Sequence, residues 1–135
     1  MNRQDNVRLI QQHFGAFGKG DLSAVLGTIA QDVDWQSPAT RSMQEEIPWA
    51  KPCHSREEVA SFFKELLDSV QPEKFEVFNV TAQNDRVIVE GMNSGKVIST
   101  GISYEHDWIM VFTIRDGEIV RHRHYYDTAD IVRAL

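Results

Sequence analysis

Three of the chain's five histidines fall between Tyr104 and Asp127, in a stretch that alternates with strand period. His122 and His124 stand two residues apart, so on a strand they share one face. An imidazole titrates near neutrality and suits proton transfer in enol or cyclisation chemistry. His124 is the candidate proton shuttle, with Tyr126, Asp127 or Glu90 as its partner. The His-x-His spacing, with His106 near and Glu90 as a carboxylate, is also a metal-ligand pattern. The simpler reading is a pair of hydrogen-bonded cavity histidines, so no metal and no cofactor are assigned. His13 is a candidate donor to a ligand carbonyl or oxyanion. Trp35, Trp49 and Trp108 are candidates for an aromatic box around a flat ligand. Cys53 adjoins His54, but neighbouring residues rarely meet productively, and a catalytic thiolate is not expected there.

Those side chains need elements to hold them. Val7, Ile10, Phe14 and Phe17 recur at helical spacing, with His13 on the same stripe. Gly18 and Gly20 end that helix. Asp21 caps a shorter one with Leu22, Val25, Leu26 and Ile29 inside. Val33 to Gln36 reads as a short strand. The stretch from Ser37 to His54 carries Pro38, Pro48 and Pro52, yet also Ile47 and Trp49. A loop of that length holding large apolar residues is expected to be a lid packed over something. Ser55 followed by Glu58 is a capping box that opens a third helix, which Pro72 closes. Strands are expected over residues 75–82, 86–97, 104–114 and 118–126, with turns at Asn84-Asp85 and Asp116-Gly117. Asn93-Ser94-Gly95 reads as a bulge or bend, and Asp127 as the cap of a last helical turn.

Parity then decides what faces inward. In the strand from Tyr104 the even positions are the bulkier and more aromatic: Tyr104, His106, Trp108, Met110 and Phe112. A two-residue turn at Asp116-Gly117 pairs even with odd residues and sends Arg121 and Arg123 inside, at a large desolvation cost. A three-residue loop with Gly117 in a bulge pairs even with even. The second choice sets Trp108 opposite His124 and Met110 opposite His122, with Tyr126 also inward. Glu90 takes the inward parity on its own strand. The odd face, with Ile109, Val111 and Tyr125, is left as a candidate partner surface.

At 135 residues one domain is expected, spanning 1–135. A net charge of −6 argues against nucleic acid as a partner. No apolar stretch is long enough to span a bilayer, so no membrane partner is expected. A single cysteine and a polar N-terminus fit a cytoplasmic setting.

Several segments together resemble the NTF2-like superfamily, and within it the SnoaL-like and ketosteroid-isomerase-related proteins. They are Lys19-Gly20-Asp21-Leu22, Asp32-Val33-Asp34-Trp35, Ser55-Arg56-Glu57-Glu58-Val59 and the close from Asp107-Trp108 through Asp116-Gly117-Glu118-Ile119-Val120 to Tyr125-Tyr126-Asp127-Thr128-Ala129. The resemblance implies an α+β cone, with N-terminal helices packed on a strongly curved antiparallel sheet, that commonly dimerises. It also implies a choice among isomerases, polyketide cyclases, dehydratases, epoxide hydrolases and non-catalytic binders, because fold does not fix function. The ketosteroid isomerase residues do not carry over. Ser37 stands where the aspartate base is expected, His13 where the tyrosine donor is, and Met110 near the second donor. Steroid isomerisation by that mechanism is therefore rejected.

The expectation is a small, largely apolar organic ligand in the cone, with cofactor-free isomerisation, cyclisation or dehydration if the protein is an enzyme. His124 shuttles the proton, His13 or Tyr126 polarises an oxygen, and Trp35 and Trp108 form walls, with Ser37, Trp49, Met110 and His122 at the ligand. The alternative is a non-catalytic binding or dimerisation module. A homodimer through the sheet is the expected assembly.

Overall fold

The computed structural model describes residues 2–135. The first helix, α1 (Arg3–Gly18), starts where the Asn2 side chain accepts from the Asp5 N–H at 2.9 Å. Its inward stripe includes Ile10, His13 and Ala16. Gly20 is left-handed (φ 70°), and the Asp21 carboxylate caps α2 (Leu22–Leu26) through the Ala24 N–H. The strand β1 (Ile29–Gln36) begins four residues earlier than the sequence pattern shows. After a single turn, α3 (Ala39–Ser42), the chain reaches α4 (Arg56–Ser69). Ser55 caps α4 by accepting from the Glu58 N–H at 3.1 Å, while Glu58 reaches back to the His54 N–H.

Four long strands follow: β2 (Val70–Gln83), β3 (Arg86–Val97), β4 (Ser103–Arg115) and β5 (Glu118–Tyr126). A short α5 (Thr128–Ala134), capped by Asp127, ends the fold. The sheet order is β1-β5-β4-β3-β2, and each pair from β2 to β5 is antiparallel as expected. β1 joins the far edge parallel to β5, which makes the sheet mixed. Pro72 lies inside β2 rather than before it; an edge strand tolerates the missing N–H. The bends expected at Asn93-Ser94-Gly95 are made by the partner strand, where Glu73 and Phe78 of β2 are bulged out.

The sheet curves over α1 and α4, and their facing sides form the main core, with Ile10, Val33, Val59, Val87, Val89 and Phe112 among its buried members. The Ser37–His54 stretch is a packed cap. Ile47 is fully buried and Trp49 nearly so, in a second cluster with Val70, Val97, Tyr104 and Ile131. Among the described residues no helix is long and apolar enough to cross a membrane.

Candidate functional site

The β4–β5 hairpin sets the site. Asp116 (φ 51°) and Gly117 (φ 77°) are both left-handed, and Arg115 pairs with Glu118. The connection is therefore the two-residue turn, not the three-residue loop expected from charge placement. The extra residue lies in the strand instead, where the register shifts beside Thr113 and leaves Val120 unpaired. Even positions still meet even positions, but displaced by two residues from expectation. Trp108 pairs with Tyr126, Met110 with His124 and Phe112 with His122. The expectation kept Arg121 and Arg123 off the inner face by the right criterion and placed the bulge wrongly. Arg123 now reaches Asp34 at 2.8 Å and holds that carboxyl below its ordinary range.

The parallel β1–β5 pairing puts Trp35 beside His122. Their rings stack, with centroids 3.7 Å apart and planes 22° from parallel. Between this wall and α4 lies a cavity in two lobes that share Trp35, Phe62, Leu66, Asn93, Tyr104 and His124. One lobe, about 70 Å³, is bounded by Ser37, Trp49, His106 and Tyr126 under the cap. The other, about 110 Å³, is bounded by His13, Phe14, Phe17, Phe63, Met110 and His122. A dry cavity of ~150 Å³ accepts a benzene ring, so these lobes are of the right order for a small flat molecule.

Most of the candidate residues meet here, and two do not. Glu90 is exposed on the opposite face, where Asn79 donates to it at 3.2 Å. The inward parity of β3 belongs to Val87 and Val89, which are fully buried, and then to Gly91, Asn93 and Gly95. Glu90 is thus neither a partner for His124 nor a ligand beside His122. Trp108 is buried but lies behind the lobes, stacked on Phe75 (centroids 5.0 Å) rather than walling the cavity. Cys53 is buried beneath the cap, and burial pushes its thiol up to about 11.

Burial governs the histidines. It pushes His13 down to about 4 and, with a smaller contribution from His106, His124 down to about 3. His122 is held well below its ordinary value by burial first, then by His124 and His13. The near-neutral titration expected of His124 is therefore lost: a desolvated imidazolium is too costly there. The Nε2 of His124 and both ring nitrogens of His122 are shielded and have no protein partner. The Tyr126 hydroxyl is shielded beside Ser37 and Trp49, and burial raises its phenol against the weaker pull of those two side chains, so it remains a proton donor.

His106 differs. Its Nδ1 lies 3.0 Å from Asp130 Oδ2, and its ring stacks on Tyr126 (centroids 5.8 Å, 24°). Asp130 is itself fixed by the Glu105 N–H and Arg133, each at 2.9 Å. Although desolvation is the largest influence on Asp130 and opposes it, the bonds from His106, Arg133 and Glu105 together hold the carboxyl below its ordinary value. An ionised carboxylate accepts only, so His106 donates from Nδ1, and in the neutral ring the lone pair is on Nε2. Asp130 is absent from the sequence reading because the run Asp127-Thr128-Ala129-Asp130 has a sufficient explanation as a helix cap. Asn93, whose Oδ1 is buried without a partner, was hidden inside an apparent bend.

Residues 10–122 match the SnoaL-like domain. The chain belongs to the SnoaL-like family. A solved NTF2-like protein from Burkholderia xenovorans LB400 is 30% identical, with 99% of this chain and 98% of that one covered and a TM-score of 0.86. The structure of TerC co-crystallised with polyporic acid is 19% identical over 96% of this chain and 97% of that one, with a TM-score of 0.84, a likeness of fold. An uncharacterised protein of Bacillus subtilis (strain 168), YesE, is 38% identical over 55 residues, which is 41% of this chain and 37% of that protein. The chain therefore matches little more than a third of that curated relative's length. These findings bear out the expected superfamily and the α+β layout.

Proposed function

We propose that this SnoaL-like protein binds a small, largely apolar organic molecule in the two-lobed cone and moves a proton on it without a cofactor. The observation that carries the chemistry is the His106 Nδ1 to Asp130 Oδ2 contact of 3.0 Å at the wall of the capped lobe. An imidazole whose tautomer is fixed by a carboxylate is a general base, and the carboxylate stabilises the cation that forms. In the step proposed, His106 Nε2 takes a proton from a carbon next to a substrate carbonyl. The C–H electron pair becomes the C=C of an enolate, and the charge moves to oxygen, where the Tyr126 hydroxyl donates to it. The imidazolium then returns the proton to a carbon or to a departing hydroxyl. Isomerisation, cyclisation and dehydration share this first step. The role given to His124 by sequence passes to His106, and His124 becomes a neutral wall. That a neighbour of the same fold was co-crystallised with polyporic acid is in keeping with an organic occupant.

The deeply neutral His122 and His124 favour a second reading, a binder that never turns its ligand over. Deuterium exchange separates the two. In heavy water, 2-tetralone should exchange its α-hydrogens faster with protein than in buffer, and His106→Gln should slow that by about 100-fold or more. Exchange that is no faster than buffer, or that survives His106→Gln, overturns the catalytic reading. We further propose that two copies associate through the outer face of the sheet, around Ile109 and Tyr125, both large, apolar in part and exposed. A reducing, cytoplasmic location is proposed from the free cysteine, Cys53.

A further inference from the structure

The polarity of His13 is set by the two groups beneath it. Thr28 Oγ1 lies 2.6 Å from the Val25 carbonyl, to which it donates its only proton. The same oxygen lies 2.8 Å from His13 Nδ1, so it accepts there and His13 carries its proton on Nδ1. His13 is buried, at 4% exposure, and its ring packs edge-on to Phe14 and Phe112. Such a site keeps the imidazole neutral. Nε2 therefore bears a lone pair, no donor among the described residues bonds it, and the residue lines the larger lobe.

We infer that the molecule in the larger lobe is a flat aromatic compound whose own hydroxyl, of phenol or enol type, donates to His13 Nε2. A carbonyl oxygen in that place would set lone pair against lone pair and leave a buried acceptor unsatisfied. This reverses the donor role expected of His13 from its position on the helix. The rest of the lobe agrees. Phe14, Phe17, Phe62 and Phe63 supply apolar walls, and His122 adds a neutral ring with both nitrogens unpartnered. Lys74, near the rim, is the lobe's single charged side chain and is already paired with Glu76 at 3.2 Å, which suits a neutral guest. The inference rests on the reading that the cone holds an organic molecule, and it adds the group that molecule must carry.

The test uses p-cresol and p-xylene, which differ by a hydroxyl in place of a methyl, each titrated into the whole protein and followed by NMR shifts. An apolar lobe with no polar demand prefers p-xylene. The inference predicts p-cresol tighter by about fivefold or more, and the order reversed by His13→Phe. Tighter p-xylene, or a p-cresol preference that survives His13→Phe, overturns the inference while leaving the cavity reading intact. Failure of both compounds to bind up to their solubility overturns the cavity reading and the inference with it. If His13→Phe does not fold, the nitrogen–proton correlation of the wild-type ring decides instead. A proton on Nδ1 with an unprotonated Nε2 supports the inference, and a proton on Nε2 overturns it.

Discussion

The indole of Trp108 on β4 lies flat against Gly91 on β3, its cross-strand partner, so closely that a Cβ at position 91 would collide with the ring and with the Glu76 carbonyl. The contact explains why Trp108 packs behind the cavity instead of walling it. A glycine floor lets the indole sink onto the sheet and stack on Phe75. Neither the ring nor the Glu76 backbone can give way cheaply in a packed core. Gly91→Ala is expected to destabilise the protein by about 2 kcal/mol or more. Gly15, inside α1 with open space around it, is the control: Gly15→Ala should stabilise by about 0.5–1 kcal/mol. Urea unfolding of both variants checks the pair, and equal effects would refute the packing argument.

Stability should fall as the solution is acidified from pH 7, well before the carboxylates titrate. His13 and His124 have folded values of about 4 and about 3 against 6.5 in the unfolded chain. The unfolded state therefore binds more protons below pH 6.5, and the sign of the linkage is a loss of stability with falling pH. Each such histidine contributes a slope of about 1.4 kcal/mol per pH unit, which ends as pH passes its folded value. His122, also lowered, adds to the same window. Asp34 and Asp130 are lowered from 3.8, so their contribution is kept above that pH and lost only at lower values. Urea midpoints at pH 7.5 and 5.0 should differ by more than about 2 kcal/mol in unfolding free energy. A flat profile across that interval would mean that the imidazoles are hydrated in solution.

Much of the fold could be read from local patterns. The caps at Asp21, Ser55 and Asp127 all stand where side-chain chemistry demands them. The inward set Tyr104, His106, Phe112, His122 and His124 follows from period-two alternation alone. What was not legible depends on pairing. Parallel addition of β1, which stacks Trp35 on His122, joins segments some 90 residues apart in the chain and leaves no local mark. The position of the β5 bulge depends on the turn and shifts every cross-strand partner by two residues. Glu90 was misplaced because β3 has no strong apolar alternation after Val89. His106 and Asp130 come together only when α5 docks against β4, so a residue with an adequate local role concealed a second one.

The outer face of the sheet gives a prediction on assembly. Ile109 and Tyr125 face each other across β4 and β5 at 41% and 49% exposure, beside half-buried Val111. An apolar centre ringed by charged residues suits a self-complementary pairing. Sedimentation at micromolar concentration should show a dimer, and Ile109→Glu should shift it to monomer without changing the thermal midpoint of the monomer's core by more than a few degrees. A wild-type monomer under these conditions rejects the proposed interface.

In the proposed reaction Asp130 positions His106, and its substitution should separate orientation from binding. In Asp130→Asn the amide can still accept from His106 Nδ1, but its charge is gone and its own N–H₂ can turn toward the ring, which frees the other tautomer. The Glu105 N–H and Arg133 also lose a carboxylate, so a modest fall in stability accompanies the change. Exchange on 2-tetralone should drop by more than about tenfold in kcat. KM should hold within about twofold, because Asp130 does not border the cavity. A purely structural role for Asp130 would lower activity only in proportion to the folded fraction. Asp130→Glu, which restores the charge on a longer arm, should recover part of the lost kcat.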